Sequence, residues 1–138
     1  MSGLIAIGVG CRSRCPGEVL ARLVSRTLGS WPAHLPQPQL RSLFTIEDKR
    51  GEAGIHDAAR TLGLDVVFLS REALRQAMPR IRTHSAHAQA RFGIGSVAEA
   101  AALAGGGPNA TLVVPRESDH VATCAIAADL SLLSDVQP

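Results

Sequence analysis

Short apolar runs alternate with helix-like segments along most of the chain, and this alternation is the feature that most constrains the fold. The first run, Leu4 to Val9, is apolar throughout and predicts a strand that is buried on both faces. A helical pattern follows over Pro16 to Leu28, with Cys15 or Ser13 as its cap and a glycine as its stop signal. A buried strand followed by an amphipathic helix is typical of a parallel sheet covered by helices.

The same alternation continues towards the C-terminus. It predicts strands over Leu40–Ile46 and Leu64–Leu69, and helices over Gly51–Leu62 and residues 71–77. Further along, Ser96 and Glu99 have the spacing of a capping box for a helix over Val97–Leu103. Residues 105–109 read as a loop, and residues 79–95 and 129–138 have no regular pattern.

Two short strands, Leu112–Pro115 and Val121–Ala127, flank a turn at residues 116–120 and predict a hairpin. We therefore expect one α/β domain with an α/β/α layered arrangement. Its sheet has about five strands, is mostly parallel and ends in a C-terminal antiparallel hairpin. The core is expected to span about residues 4–127.

Composition excludes several classes of protein. A net charge of +2 and an aromatic content of 3% disfavour a nucleic-acid binder. The three cysteines are an odd number, which disfavours a disulfide-stapled secreted domain, and no Cys/His cluster has zinc-site spacing. No segment approaches the ~20 apolar residues of a membrane span. These features predict a cytoplasmic protein with no bound metal, cofactor or membrane.

The turn after the first strand is the first candidate site. Gly10, Cys11, Arg12 and Arg14 precede a predicted helix N-terminus, where free N–H groups and the helix dipole attract anions. Gly8 and Gly10 would let a ligand approach the backbone. A tight turn with solvated arginines is the equal alternative. Cys11 beside Arg12 could be a thiol of lowered pKa, although ordinary thiols are the favoured interpretation. The pattern matches neither a dinucleotide fingerprint nor a P-loop.

Three further segments carry charged candidates. Lys49 and Glu52 follow the second strand, where the lysine could bind an anion and the carboxylate could act as a general base; a solvated loop is the favoured alternative. Residues 73–98 contain arginines and histidines but no acid, so they would attract a polyanion unless they are simply solvated. In that segment, His84 and His87 are spaced to share a helix face. Arg116, at the end of a strand, could face the same crevice or protect a sheet edge.

Four stretches, taken together and in order, resemble one family. They are GVGCRSRCPGEVL, FTIEDKRGEAG, GIGSVAEAAAL and TLVVPRESDHVATCAIA, and they cover the chain from about residue 4 to residue 127. The chain resembles the CobE family of cobalamin biosynthesis, which is similar to the C-terminal domain of CbiG. The resemblance implies a role in building the corrin ring, with precorrin intermediates as ligands and other enzymes of the pathway as partners.

The matching positions suggest a ligand-binding set, namely Gly10, Cys11, Arg12, Lys49, Glu52, Ser96, Glu99 and Arg116. The family often has lysine where Arg116 stands, which keeps the charge and changes the geometry. An accessory protein or carrier that binds a precorrin is the first hypothesis. A hydrolase that opens a precorrin lactone, as CbiG does, is the alternative, with Glu52 as base and Cys11 as a further catalytic candidate. A generic anion or nucleotide module is the third.

Overall fold

The structure is a computed structural model, and it describes residues 3–134. Five strands form one sheet in the order β3-β2-β1-β5-β4. They are β1 (Leu4–Cys11), β2 (Leu40–Ile46), β3 (Val66–Leu69), β4 (Thr111–Asp119) and β5 (Ala122–Ala128). The pairs β1–β2 and β2–β3 are parallel, whereas β1–β5 and β4–β5 are antiparallel. The predicted α/β fold with a C-terminal antiparallel hairpin is confirmed.

Helices cover both faces of the sheet and bury two apolar clusters against it. The helices are α1 (Gly17–Leu28), α2 (Ala53–Leu62), α3 (Arg71–Gln76), α4 (Ala86–Phe92), α5 (Val97–Gly106) and α6 (Leu130–Ser134). Side chains of α1, α2 and α6 pack in one cluster, and side chains of α3, α4 and α5 pack in the other. The central strand β1 supplies residues to both clusters because its successive side chains alternate between faces.

Glycine in β1 allows α5 to approach the sheet closely. A Cβ atom on Gly8 would lie 1.9 Å from the carbonyl oxygen of Ala98 and 2.6 Å from the backbone nitrogen of Ala102. The prediction that Gly8 gives a ligand access to the backbone is therefore wrong, because α5 occupies that space. This close approach fixes the position of the N-terminal end of α5 at the edge of the sheet.

Several predicted boundaries in the N-terminal half are wrong by a few residues. Pro16 takes the N-cap position of α1 rather than opening the helix, and its side chain has no acceptor with which to cap it. Cys15 is buried, and its thiol donates to the carbonyl of Pro16. A 3₁₀ turn over Glu47–Lys49 delays the start of α2 to Ala53. Leu64 closes α2 through a bond from its N–H to the carbonyl of Ala59, so β3 starts only at Val66.

The C-terminal half is more regular than predicted. The segment 79–95 contains α4, and His84 precedes this helix, so His84 and His87 do not share a helical face. Helix α5 continues through Gly105, where the absent side chain leaves room for the ring of Phe44. Strand β4 extends to Asp119, which reduces the predicted five-residue turn to two residues. Helix α6 lies in the predicted tail, whose last four residues fall outside the described range.

Candidate functional site

The turn after β1 and the turn of the β4–β5 hairpin meet at one edge of the sheet. Cys11, the last residue of β1, is paired with Ala122, the first residue of β5. The N–H of Arg12 then donates to the carbonyl of Val121 at 2.8 Å, which continues the pairing into the turn. Because β5 runs antiparallel to β1, the hairpin turn comes to the carboxyl end of β1, where ligands bind in open α/β sheets.

A cavity of about 250 Å³ lies at this edge, between the end of β1, the hairpin, α4 and the start of α5. We call it the edge pocket. Its basic lining residues are Arg12, His87, Arg91, Arg116 and His120, and the one acidic residue in its lining is Asp119. The carboxylate of Asp119 accepts a hydrogen bond from the N–H of His120 at 2.7 Å and so holds the turn. The pocket therefore has an excess of positive charge, which favours an anionic ligand.

A β-bulge directs Arg116 towards the edge pocket. In the pairing of β4 with β5, Val114 lies opposite Ile126 and Glu117 lies opposite Cys124, so β4 contains one extra residue between these pairs. Pro115, which has no N–H to donate, occupies this irregular part of an edge strand. Bulges of this kind change the direction of a side chain, and the side chain of Arg116 lines the pocket.

The backbone at the bulge is held by the buried carboxylate of Glu99. The N–H of Arg116 donates to Glu99 Oε2 at 2.9 Å, and the hydroxyl of Thr83 donates to the same oxygen at 2.9 Å. The N–H groups of Arg82 and Thr83 donate to Oε1 at 2.8 and 2.7 Å. Each oxygen thus accepts two hydrogen bonds, which fills the capacity of a carboxylate. Glu99 does not line the pocket.

The charge of Glu99 is stabilised by these donors. Burial alone would raise the pKa of the Glu99 carboxyl, but the hydrogen bonds from the backbone of Arg116, Thr83 and Arg82 and from the Thr83 hydroxyl lower it, and the net pKa lies below its ordinary value. The capping box is therefore only half correct. The Ser96 hydroxyl accepts from the N–H of Glu99 at 3.2 Å as predicted, whereas the Glu99 carboxylate bonds elsewhere instead of returning to Ser96.

Ser96 and Cys11 both line the edge pocket. Ser96 is buried and caps α5 while it lines the cavity. Burial raises the pKa of the Cys11 thiol to about 12, and the nearby charge of Lys49 only partly opposes this. The alternative of a lowered thiol pKa is wrong, because burial outweighs the nearby positive charge, and this leaves the favoured interpretation of a thiol that is not activated. Cys124 is buried in the core.

Lys49, Glu52 and Arg14 form a separate group behind the β1–α1 turn. The Lys49 ammonium lies 4.0 Å from Glu52, and the side chains are 6% and 14% exposed. Glu52 also accepts a hydrogen bond from the N–H of Arg14 at 2.8 Å, which holds Arg14 in a left-handed conformation with φ 65°. None of the three lines the edge pocket. The Lys49 side chain is buried rather than solvated, which rules out the solvated-loop interpretation for this residue.

The N-terminus of α1 is packed against α2. A Cβ atom on Gly54 would lie 2.0 Å from the carbonyl oxygen of Cys15, and one on Gly17 would lie 2.6 Å from the Cβ atom of Asp57. The edge pocket does not include the first turn of α1. The close contact of the two helices therefore explains the glycines without an anion at the helix N-terminus.

Sequence reasoning singled out the basic segment 73–98 but missed the helix α4 within it, and it missed the contribution of the hairpin turn to the pocket. His120 and Thr123 line it from the hairpin, and Ser85 and His87 line it from α4. The sequence predicts the hairpin but not the strand beside which it pairs, and that pairing with β1 brings its turn to this edge. Helix α4 gave a weaker signal, because Phe92 is its one large apolar side chain and its clearest marker is the cap in which Ser85 accepts from the N–H of Ala88.

Metal ligation and membrane insertion have no support in the part of the chain that the structure describes. Among residues 3–134, no three His, Cys, Asp or Glu side chains are grouped so that they could hold a metal ion. No helix in the same range has the length and apolar content to cross a bilayer.

Comparisons with known proteins identify the family. The family model described as the C-terminus of cobalamin synthesis protein G matches residues 5–127. The protein CobE of a Sinorhizobium species is 30% identical over 134 residues, which cover 97% of this chain and 85% of that protein. A crystal structure of CobE, described as a protein from the cobalamin (vitamin B12) biosynthetic pathway, matches with a TM-score of 0.82 and 38% identity over 92% of this chain and 91% of that one.

A second solved structure is also similar to this chain. The cobalamin biosynthesis protein chiG from Agrobacterium tumefaciens matches with a TM-score of 0.67 and 27% identity, over 90% of this chain and 97% of that one. The family match spans most of the chain and includes β1 to β5 almost completely. The chain belongs to the cobalamin synthesis G C-terminus family and is a protein of cobalamin biosynthesis.

Proposed function

We propose that the protein binds a precorrin-type intermediate of cobalamin biosynthesis at the edge pocket, as an accessory protein or carrier. The observation that carries the proposal is the group of unpaired basic side chains on the pocket wall. Within residues 3–134, the guanidinium groups of Arg12 and Arg116 have no hydrogen bond or ion pair to a protein group. Precorrins bear acetate and propionate side chains, and arginine binds carboxylates through two parallel hydrogen bonds.

The volume of the edge pocket limits how much of a ligand it can enclose. A volume of about 250 Å³ lies below the ~300–1,000 Å³ of pockets that enclose a whole ligand. A tetrapyrrole macrocycle would therefore insert one edge with its carboxylates, while the rest of the ring stays outside. Arg91 on α4 adds a positive charge, and its guanidinium packs over the ring of Phe92 at 5.1 Å. A ring held by one edge can be transferred to another enzyme, which suits a carrier.

The other two functions considered from the sequence have less support. Glu52, the candidate base of a hydrolase, lies outside the pocket and is engaged by Lys49 and the N–H of Arg14. Cys11 lies on the pocket wall, but its raised pKa leaves little thiolate for nucleophilic attack at neutral pH. A phosphate site at the N-terminus of α1 would be separated from the pocket by the turn.

The test is a visible-absorbance titration of the purified protein with an isolated metal-free precorrin, followed over time with product analysis. We expect a stable one-to-one spectral shift without a new product. Arg12→Ala and Arg116→Ala should each weaken binding by about ten- to a hundred-fold, because a hydrogen bond to a charged group contributes about 1.5–3 kcal/mol. Arg22→Ala is the matched control, since Arg22 is exposed on α1, away from the pocket.

The possible outcomes separate the hypotheses. Conversion of many equivalents per protein would overturn the carrier role and establish an enzyme. A titration without any shift would overturn the precorrin as ligand. If Arg12→Ala and Arg116→Ala bind the precorrin as tightly as the control Arg22→Ala, the edge pocket is not the binding site.

A further inference from the structure

We infer that Glu99 is a positioning residue that joins the two walls of the edge pocket and thereby holds Arg116 in place for the ligand. The identity of the ligand rests on the proposed function, whereas the connection between the two walls rests on the hydrogen bonds of Glu99. Glu99 is fully buried and does not line the pocket. Its four hydrogen bonds reach two segments that are distant from each other in the chain.

The first segment leads into the α4 wall. Glu99 binds the N–H groups of Arg82 and Thr83, and the chain then passes through His84 to Ser85. The N–H of Ser85 donates to the carbonyl of Gly95 at 2.7 Å, and its hydroxyl caps α4. Two fixed points, at residues 82–83 and at Ser85, therefore determine where α4 begins and where its pocket-lining residues lie.

The second segment is the bulge of β4. A bulged residue is not held by the regular ladder of the sheet, so its backbone needs another partner. The N–H of Arg116 finds that partner in Glu99 Oε2. The bond involves only the backbone, and the guanidinium of Arg116 remains available to the pocket.

A negatively charged carboxylate is required for this role. All four groups directed at Glu99 are donors, and a carboxylate accepts at both oxygens. A glutamine of the same size has one accepting oxygen, and its NH₂ group would face donors. Glu99→Gln therefore removes half of the connection without leaving a cavity.

A double-mutant cycle tests the inference. Binding of the isolated metal-free precorrin is measured for the wild type, Glu99→Gln, Arg116→Ala and the double variant. We expect Glu99→Gln to weaken binding roughly ten-fold, as loss of one charge-assisted interaction would. We expect the double variant to lose less than the product of the two single losses, because Glu99 acts partly through Arg116. Ser70→Ala is the control for general destabilisation, since it removes a helix cap of α3 outside the pocket.

Amide measurements test the connection without any ligand. In the wild type, the amides of Arg82, Thr83 and Arg116 should be protected from hydrogen exchange, and in Glu99→Gln their ¹H–¹⁵N signals should move together. Rapid exchange of these amides in the wild type would overturn the connection even if the variant fails to fold. Unchanged affinity in Glu99→Gln, or losses that multiply, would overturn the positioning role. Absence of wild-type binding would overturn the proposed function alone.

Discussion

Replacing Gly8 by alanine tests the packing that brings α5 to the edge pocket. The added Cβ atom would lie 1.9 Å from the carbonyl oxygen of Ala98, 2.6 Å from the backbone nitrogen of Ala102 and 2.9 Å from its Cβ atom. Ordinary contact begins at 3.4 Å, and two of the three clashing atoms are backbone atoms that cannot rotate away. Either α5 moves as a body or β1 deforms.

The expected cost is at the upper end of the range for overpacked cores. Inserting a methyl group into a well-packed site typically costs 1–3 kcal/mol, and the backbone clash predicts about 3 kcal/mol here. For a chain of 138 residues this corresponds to a fall of about 10 °C in Tm. Movement of α5 would also displace Ser96, which lines the pocket, so precorrin affinity should fall with stability.

Chemical denaturation and thermal unfolding of Gly8→Ala measure this cost. Gly51→Ala is the matched control, because nothing lies within 4 Å of its added Cβ atom and its φ is not in the left-handed region. The control should be neutral or stabilising by up to about 1 kcal/mol. If Gly8→Ala loses less than about 0.5 kcal/mol, the size of a typical surface substitution, the argument that the helix needs a glycine there is refuted.

Two further predictions follow from ionisation. Because Glu99 has a folded-state pKa below its ordinary value, its contribution to stability is present at neutral pH and is lost as the pH falls through that folded pKa. The free energy of unfolding should therefore fall less steeply in acid for Glu99→Gln than for the wild type, and identical profiles would contradict this. Asp48, whose pKa is lowered by Arg71, should give both proteins a remaining dependence on pH. Because the pKa of the Cys11 thiol is raised to about 12, its thiolate fraction at pH 7.5 is about a thousand-fold lower than that of an ordinary thiol, and the greater nucleophilicity of a more basic thiolate offsets part of this. Iodoacetamide should therefore modify Cys11 roughly 50-fold more slowly than an ordinary thiol. Peptide mass mapping of the native and the urea-unfolded protein measures this, and fast native labelling of Cys11 would contradict it.

Periodic segments could be predicted from the sequence because their signal is local. The apolar run Leu4–Val9 and the apolar stripe of α1 each indicate a buried face within a dozen residues. Both elements were placed correctly to within two residues. The hairpin was also recognised, although its turn is shorter than expected. The predicted boundaries were wrong where a backbone hydrogen bond, which the side-chain pattern does not show, determines the end of an element. Leu64 was predicted to open a strand, but its N–H instead closes α2.

The charged candidates could be found from the sequence but could not be assigned to one site. Gly10, Cys11, Arg12, Ser96 and Arg116 do meet at the edge pocket, because strand ends and the hairpin turn share one sheet edge. Lys49 and Glu52 follow the neighbouring strand and have the same kind of signal, yet Lys49 is buried and pairs with Glu52, which accepts a hydrogen bond from the β1–α1 turn. The residue type alone does not show whether a lysine faces a pocket or is buried elsewhere, because this depends on tertiary contacts such as that between α1 and α2.

Glu99 explains why the support of the pocket could not be predicted. Its sequence context, a serine three residues before a glutamate, predicts a local cap, whereas three of its four partners are backbone N–H groups 16 and 17 residues away in the chain. Every residue except proline has such a group, so no residue type marks the partner. This separation also has a functional consequence. Since Arg116 is held through its backbone, all the donors of its guanidinium remain free to bind a carboxylate, and the site can gain positional precision without losing any of its charge.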